Sequence, residues 1–167
     1  VSEPNVSTFD LSSISARIQQ DHQHLDSEQA NRNFDADLLD IFLEEADELL
    51  VGIDADLNTW SQQQSNASAV NNLMRYLHTL KGGANMVQAT HMGLIAHELE
   101  TIYQRLIHGQ IHSSENMIQI IRLVQDDIAD RIQTLRDEAV DYPATEVIEL
   151  LGNIEQVLQG VPQQQPE

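Results

Sequence analysis

The stretch LMRYLHTLKGGANMV, residues 73–87, carries apolar side chains at the three- and four-residue spacing of an amphipathic helix. Two adjacent glycines, Gly82 and Gly83, lie inside that pattern, directly after Lys81 and one turn after His78. Glycine in a helix interior costs roughly 1 kcal/mol relative to alanine. The stretch therefore predicts a helix whose surface is kept bare beside a histidine and a lysine.

Similar apolar spacing on both sides of this stretch predicts further amphipathic helices. The first long helix is expected to start near Asp35, and the second to run from about Ala67 to Val87. The third is expected to follow a cap at Thr90 and to end near Gly109. The fourth is expected to begin after Ser113 and Ser114 and to end near Val140, and Pro143 is expected to open a fifth. The loops between them are short, which favours antiparallel neighbours. The sequence predicts an all-α fold, an antiparallel up-down four-helix bundle with an additional C-terminal helix.

Apolar residues on one face of each helix are the predicted core. They are Leu39, Phe42, Ala46, Leu49, Ile53, Leu57 and Trp60; Leu73, Leu77, Leu80, Ala84 and Val87; Met92, Ile95, Leu99, Ile102 and Leu106; Met117, Ile121, Val124, Ile128 and Leu135; and Val147, Leu151, Ile154 and Leu158.

The two ends of the chain are polar. Residues 1–33 are predicted to form a linker or loosely ordered arm, although Phe9, Leu11, Ile14 and Ile18 are spaced for a short helix. His22 and His24 are expected to be solvated linker residues. Residues 34–160 are the predicted helical domain, and residues 161–167 a C-terminal linker. The start at Val1 and the linker-like end suggest a fragment of a larger cytoplasmic protein.

Composition excludes several classes of function. The net charge is −19, which argues against binding to nucleic acid or anionic membranes. The chain has no cysteine, so it has neither disulfides nor thiolate metal sites, and no apolar run approaches the ~20 residues of a membrane span. Among eight basic residues there is a single lysine, Lys81.

One face of the second helix concentrates chemical groups. His78, Lys81, Gly82 and Asn85 lie at i, i+3, i+4 and i+7, off the buried stripe and close to Met74. Gly82 would remove a side chain that crowds the imidazole, and Gly83 would thin the neighbouring surface. A bulky group that approaches bare backbone and one ammonium is most simply an anion such as phosphate.

The motif HELE on the third helix supplies a partner for that histidine. It places His97 and Glu100 at i and i+3. If the second and third helices form an antiparallel hairpin, a carboxylate on the third can reach the ring of His78. An acceptor at Nδ1 would leave Nε2 free and nucleophilic.

The motifs HTLKGGANM and GLIAHELE resemble the histidine phosphotransfer (HPt) domain, most of all the modules of chemotaxis-type histidine kinases, the CheA family. The preceding FDADLLDIFLEEADELL is similar to the first helix of modules in hybrid kinases of type IV pilus and twitching-motility systems. The resemblance implies that His78 is phosphorylated at Nε2, that Lys81 helps to neutralise the phosphoryl group, that Gly82 and Gly83 open the surface, and that Glu100 orients the ring. His97 matches a second histidine of CheA-like members, and Gln88 departs from the glycine usual at its position.

The predicted function is therefore that of a phosphorelay carrier. The partners would be a receiver domain that brings an aspartate and Mg²⁺, and a histidine kinase catalytic domain that binds ATP. No nucleotide-binding loop of the G-x-x-x-x-G-K-[ST] type occurs, so self-phosphorylation is not expected. Two alternatives stay open. The first is a non-catalytic adaptor that docks through the acidic face of the first long helix. The second is a bundle metalloprotein, but HELE has the reverse order of the Glu-x-x-His metal motif, and His108 and His112 are expected to be surface residues.

Overall fold

A computed structural model of the chain describes residues 10–160. Its elements are α1 (Leu11–Gln19), a 3₁₀ turn (Gln20–His24), α2 (Ala36–Gln62), α3 (Ala67–Met86), α4 (Thr90–Ile107), α5 (Glu115–Glu138), α6 (Thr145–Gly152) and α7 (Ile154–Gln159). Residues 10–160 contain no β-strand, only an isolated antiparallel bridge between Asn31 and Asp141. The predicted all-α fold is confirmed.

Helices α2 to α5 form the antiparallel bundle. Helix α2 is antiparallel to both of its neighbours, α3 and α5. On α3, Gly83 lies against Phe42, and Asn72 donates a hydrogen bond to Asp56, further along α2. On α5, Arg136 pairs with Asp47, and Arg122 donates a hydrogen bond to Asn58. The residues of the predicted stripes are buried, except that Leu49, Leu106 and Leu158 are half-buried. None of the helices in the described part of the chain is long and apolar enough to cross a membrane.

Side-chain caps explain where α2, α3 and α5 begin. Asp35 accepts from the amides of Asp37 and Leu38, Asn66 from that of Ala69, and Ser114 from that of Met117. Thr90 was predicted to cap α4, and this prediction is wrong: α4 has no cap from its own segment. Instead the buried carboxylate of Asp141 accepts hydrogen bonds from the backbone amides of His91, at 2.8 Å, and Met92, at 3.1 Å.

The C-terminal helix differs from the prediction. The structure has two short helices, α6 and α7, with a break at Asn153, where the backbone leaves helical geometry. Pro143 precedes the N-cap residue Ala144 and does not open the helix. Helix α6 packs against α4 and α1, which extends the core through Val147, Leu150 and Leu151.

The N-terminal arm is docked more tightly than predicted. Ile14 and Ile18 of α1 are buried in the core, and the carboxylate of Asp21 is buried beside Arg131 of α5, at 3.1 Å. Both side chains are no more than 2% exposed. His22 is not a simple solvated residue, because its Nε2 lies 3.2 Å from the hydroxyl of Tyr142. Residues 1–9 and the predicted linker 161–167 lie outside the described residues, and the division of the chain at residue 34 stays a prediction.

Candidate functional site

The α3–α4 hairpin brings His78 and Glu100 together. The Nδ1 atom of His78 lies 2.8 Å from Oε2 of Glu100. The histidine side chain is 68% exposed, whereas the glutamate side chain is only 7% exposed. The contact predicted from HELE is therefore present, and a buried carboxylate holds an imidazole that faces solvent.

The same carboxylate also binds Lys81. The ammonium of Lys81 lies 2.7 Å from Oε1 of Glu100, so the two carboxylate oxygens are divided between the lysine and the histidine. The sequence placed Lys81 on the histidine face of α3 but did not predict this ion pair. The result is a cluster in which Glu100 fixes the positions of both neighbouring side chains.

The two partners determine the ionisation of Glu100. Burial by itself raises the pKa of a carboxyl group, but hydrogen bonds and positive charge from Lys81 and His78 outweigh it, so the pKa of Glu100 lies below its ordinary value of 4.5. Glu100 is thus ionised at neutral pH and can only accept hydrogen bonds. Nδ1 of His78 must then carry the hydrogen, which leaves Nε2 of the neutral ring with its lone pair free.

The adjacent glycines have different surroundings. A Cβ atom built on Gly82 would meet no atom within 4 Å, so this position is open beside the imidazole. A Cβ atom on Gly83 would lie 2.9 Å from Cδ1 of Phe42 on α2. Gly82 therefore fits the predicted role in access, whereas Gly83 permits close packing of α3 on α2.

The other predicted site residues lie around the cluster without joining it. Met74 is half-buried one turn before His78 and packs on the core. The side chain of Asn85 lies over Gly93 of α4, where a Cβ atom would clash with it. His97 is exposed one turn before Glu100, and no hydrogen bond among residues 10–160 joins its ring to His78 or Glu100.

Two exposed apolar side chains near the site were missed by sequence reasoning. Ile41 of α2 is 65% exposed and Met86 of α3 is 72% exposed. Since Gly83 packs on Phe42, the start of α2 and the end of α3 lie side by side. The available signal was that both residues are apolar but fall off the buried stripes of their helices.

The turn between α3 and α4 shows how the chain manages without the glycine expected at Gln88. Gln88 adopts φ 67°, the left-handed conformation that glycine favours. The amide of Ala89 donates to the carbonyl of Ala84 at 2.8 Å, and that of Gln88 to Asn85 at 3.1 Å, which is the Schellman pattern of a helix C-terminus. The hairpin geometry is kept, with strain at one residue.

Gln88→Gly should raise the free energy of unfolding by roughly 1 kcal/mol, because a non-glycine residue in the left-handed region is strained by about that amount. Urea denaturation measures the change. Gln88→Ala keeps the strain and is the matched control. A Gln88→Gly variant no more stable than Gln88→Ala would show that this turn is not strained.

A protein-family model covers most of the chain. The family model described as Hpt domain matches residues 37–160, about three quarters of the chain. No curated protein matches the chain. In residues 10–160 no group of three or more His, Asp or Glu side chains is arranged to hold a metal ion.

Because the family model covers residues 37–160, more than half of the chain, the chain belongs to the Hpt domain family, the histidine phosphotransfer modules of two-component phosphorelays.

Proposed function

We propose that His78 is the phosphoacceptor of this module and that Nε2 is the reacting atom. One observation carries the proposal: an exposed imidazole is held at Nδ1 by a buried, ionised carboxylate. Glu100 fixes the tautomer and the orientation of the ring, so the free lone pair points away from α4. No other histidine in residues 10–160 has a carboxylate at hydrogen-bond distance.

The proposed step is an in-line transfer. The lone pair of Nε2 attacks phosphorus, an N–P bond forms, and the P–O bond to the donor breaks with its electron pair leaving on oxygen. The donor is ATP on a kinase catalytic domain, which leaves as ADP, or the phosphoaspartate of a receiver domain. The ring keeps the Nδ1 hydrogen and gains positive charge, which Glu100 stabilises. Onward transfer reverses the step, with a receiver carboxylate attacking phosphorus and the electron pair returning to Nε2.

Lys81 is proposed to stabilise charge on the transferred group. Its side chain is 25% exposed and is anchored by Glu100 on the histidine face. Phosphoryl transfer depends mainly on positioning and charge stabilisation, with little covalent chemistry from the protein. A module that offers a nucleophile and a cation therefore needs a partner for the rest. We propose that a receiver domain supplies Mg²⁺ and the acceptor aspartate, and that ATP binds only to the kinase domain.

The proposed docking face comprises Ile41, Gly82 and Met86, with Asn85 and His97 at its edge. Its centre is open at Gly82, and Ile41 and Met86 are more than half exposed. Exposed apolar side chains beside a bare helix surface are typical of protein interaction sites. This face would place a receiver domain directly over Nε2 of His78.

Gly82→Leu should slow transfer to a receiver domain by at least about tenfold, because a leucine side chain tilts toward the helix N-terminus and covers His78. Stability should rise, by up to about 1 kcal/mol, since leucine is the better helix former and the site is open. Stopped-flow transfer and thermal melting test both parts. Gly83→Ala is the contrasting control, expected to lose stability against Phe42; unimpaired transfer by Gly82→Leu would remove the access role.

Glu100→Gln should slow phosphorylation of His78 by about tenfold, the rate equivalent of one hydrogen bond worth about 1.4 kcal/mol.

The lowered pKa of Glu100 also predicts how the free energy of unfolding depends on pH. A depressed carboxyl pKa stabilises the fold above the ordinary range of that group, and this contribution is lost as pH falls through the folded pKa. The stability gap between wild type and Glu100→Gln should be full at pH 7 and narrow as the pH falls below 4.5, the ordinary pKa of the carboxyl group. A gap independent of pH would contradict the pairing.

The proposed function itself is tested by labelling the chain with a histidine kinase catalytic domain and ATP, or with a phosphorylated receiver domain. We expect an acid-labile, base-stable phosphate on one histidine. A chain that binds either partner but never becomes labelled would favour the adaptor alternative.

For the wider context, we propose that the parent is a CheA-like hybrid histidine kinase in the cytoplasm that controls pilus-based motility or chemotaxis. This proposal rests on the motifs HTLKGGANM and GLIAHELE and on the acidic α2. We also propose that residues 34–160 carry the phosphotransfer function, with the arm docked on them through Ile14, Ile18 and Asp21.

A further inference from the structure

Arg75 is an exposed cation on the histidine face of α3. Six of the eight basic residues of the chain form ion pairs with carboxylates: Arg17, Arg32, Lys81, Arg105, Arg131 and Arg136. Arg75 forms no ion pair with any residue between 10 and 160. Its guanidinium donates one hydrogen bond, to Oδ1 of Asn72 at 2.8 Å. Its charge is therefore available to a ligand.

Helix geometry places Arg75 one turn before His78, and its guanidinium, bonded to Asn72 in the preceding turn, would leave that hydrogen bond to reach a group on the imidazole. Arg75 precedes His78 by three residues, so the two side chains are neighbours on one face. Side chains of a helix tilt toward its N-terminus, so the ring of His78 leans over the turn that carries Arg75. Gly82, on the other side of the ring, contributes no side chain.

Charge balance explains why a second cation is needed. Lys81 and Glu100 already neutralise each other at 2.7 Å, and the chain as a whole carries −19. A phosphoryl group on a side chain adds roughly −1.5 to −2 near neutral pH. The positive charge on the phosphorylated ring offsets part of this charge, so without another cation phosphorylation would still add net negative charge to an acidic protein.

We infer that Arg75 is a second phosphoryl-binding residue, whose guanidinium donates hydrogen bonds to the phosphoryl oxygens on Nε2 of His78. The planar fork of arginine suits two oxygens of one phosphoryl group, whereas the ammonium of Lys81 acts as a single point charge held by Glu100. This inference rests on the proposed function, since it requires His78 to be the phosphorylated residue.

The test uses phosphoramidate, a small N–P donor that needs no partner protein. Arg75→Gln should label His78 at least about tenfold more slowly than wild type, and Arg75→Lys should fall between them. The ³¹P resonance of the labelled protein should titrate at higher pH in Arg75→Gln, because a nearby cation favours the dianion. Arg122→Gln is the matched control: Arg122 is the other basic residue without an ion pair in residues 10–160, and it lies on α5, bonded to Asn58 and Ser61.

Each outcome decides the inference. Slower labelling and a shifted ³¹P titration in Arg75→Gln, with both unchanged in Arg122→Gln, would support it. Wild-type labelling and titration by Arg75→Gln would overturn it and leave the proposed function standing. A defect seen only with a receiver domain would overturn it as well, because Arg75 would then contact the partner. Failure of the wild-type chain to become labelled at His78 by any donor would overturn the proposed function together with this inference.

Discussion

His78→Gln should abolish phosphorylation of the chain and leave its fold unchanged. Glutamine has no ring nitrogen with a free lone pair, so the nucleophile is lost entirely. The side chain of His78 is 68% exposed, and its one hydrogen bond, to Glu100, can be replaced by the glutamine amide. We expect labelling below detection and a change in unfolding free energy within about 0.5 kcal/mol, as for other surface substitutions.

The measurement is radiolabelling from a kinase catalytic domain and ATP, alongside circular dichroism and thermal melting. His108→Gln is the control, because His108 is an exposed histidine at the C-terminal end of α4, outside the proposed docking face, and its ring forms no hydrogen bond within residues 10–160. It should be labelled at close to the wild-type rate. Labelling of His78→Gln at another histidine would show that the site is misassigned, and unfolding of this variant would show that His78 is mainly structural.

Local patterns predicted the bundle and the central contact of the site. Helix periodicity identified the buried faces of α2 to α5, because burial follows the 3.6-residue period wherever a helix packs along its whole length. One short loop made α3 and α4 an antiparallel hairpin, and this was enough to bring Glu100 to His78. Both inferences depend on residues close in sequence.

The two glycines show where local information ends. Gly82 and Gly83 are adjacent and chemically identical, yet one faces open space and the other faces Phe42. The difference depends on where α2 packs, which the spacing of α3 alone does not specify. The ion pair of Lys81 with Glu100 was missed for a similar reason, since a long flexible side chain could equally have extended into solvent.

The features that the sequence did not predict are pairings between distant segments. The cap of α4 comes from Asp141, fifty residues further along the chain, and the arm docks through Asp21 and Arg131, separated by 110 residues. In the sequence, Asp21 is one acidic residue in a polar segment, and such residues are almost never fully buried unless paired. The burial of Asp21 depends on its pairing with Arg131, which no pattern near residue 21 indicates.

Asp21→Ala should destabilise the domain by about 3–5 kcal/mol, the range seen when one partner of a buried ion pair is removed. Arg131 is 2% exposed, so the substitution leaves a buried guanidinium with Asp127 as its remaining carboxylate partner, at 2.7 Å. The carboxylate of Asp21 also accepts from the amides of Glu146 and Val147, at 3.0 and 3.3 Å, in the first turn of α6. Its loss therefore removes one of the two carboxylates paired with Arg131 and uncaps a helix at once.

Urea denaturation measures the loss in the free energy of unfolding. Hydrogen exchange should show α1 and α6 opening before α2 to α5, because Asp21 links α1 and α6 to Arg131 of α5. Asp21→Asn separates the two effects: it keeps an oxygen for the α6 amides but removes the charge, so an intermediate loss is expected. Asp26→Ala is the control, since the carboxylate of Asp26 is 95% exposed in its pair with Arg32 and such surface pairs contribute about 1 kcal/mol or less. If Asp21→Ala is no more destabilised than Asp26→Ala, the arm is not anchored by this ion pair, and the burial of Ile14 and Ile18 must hold it in place.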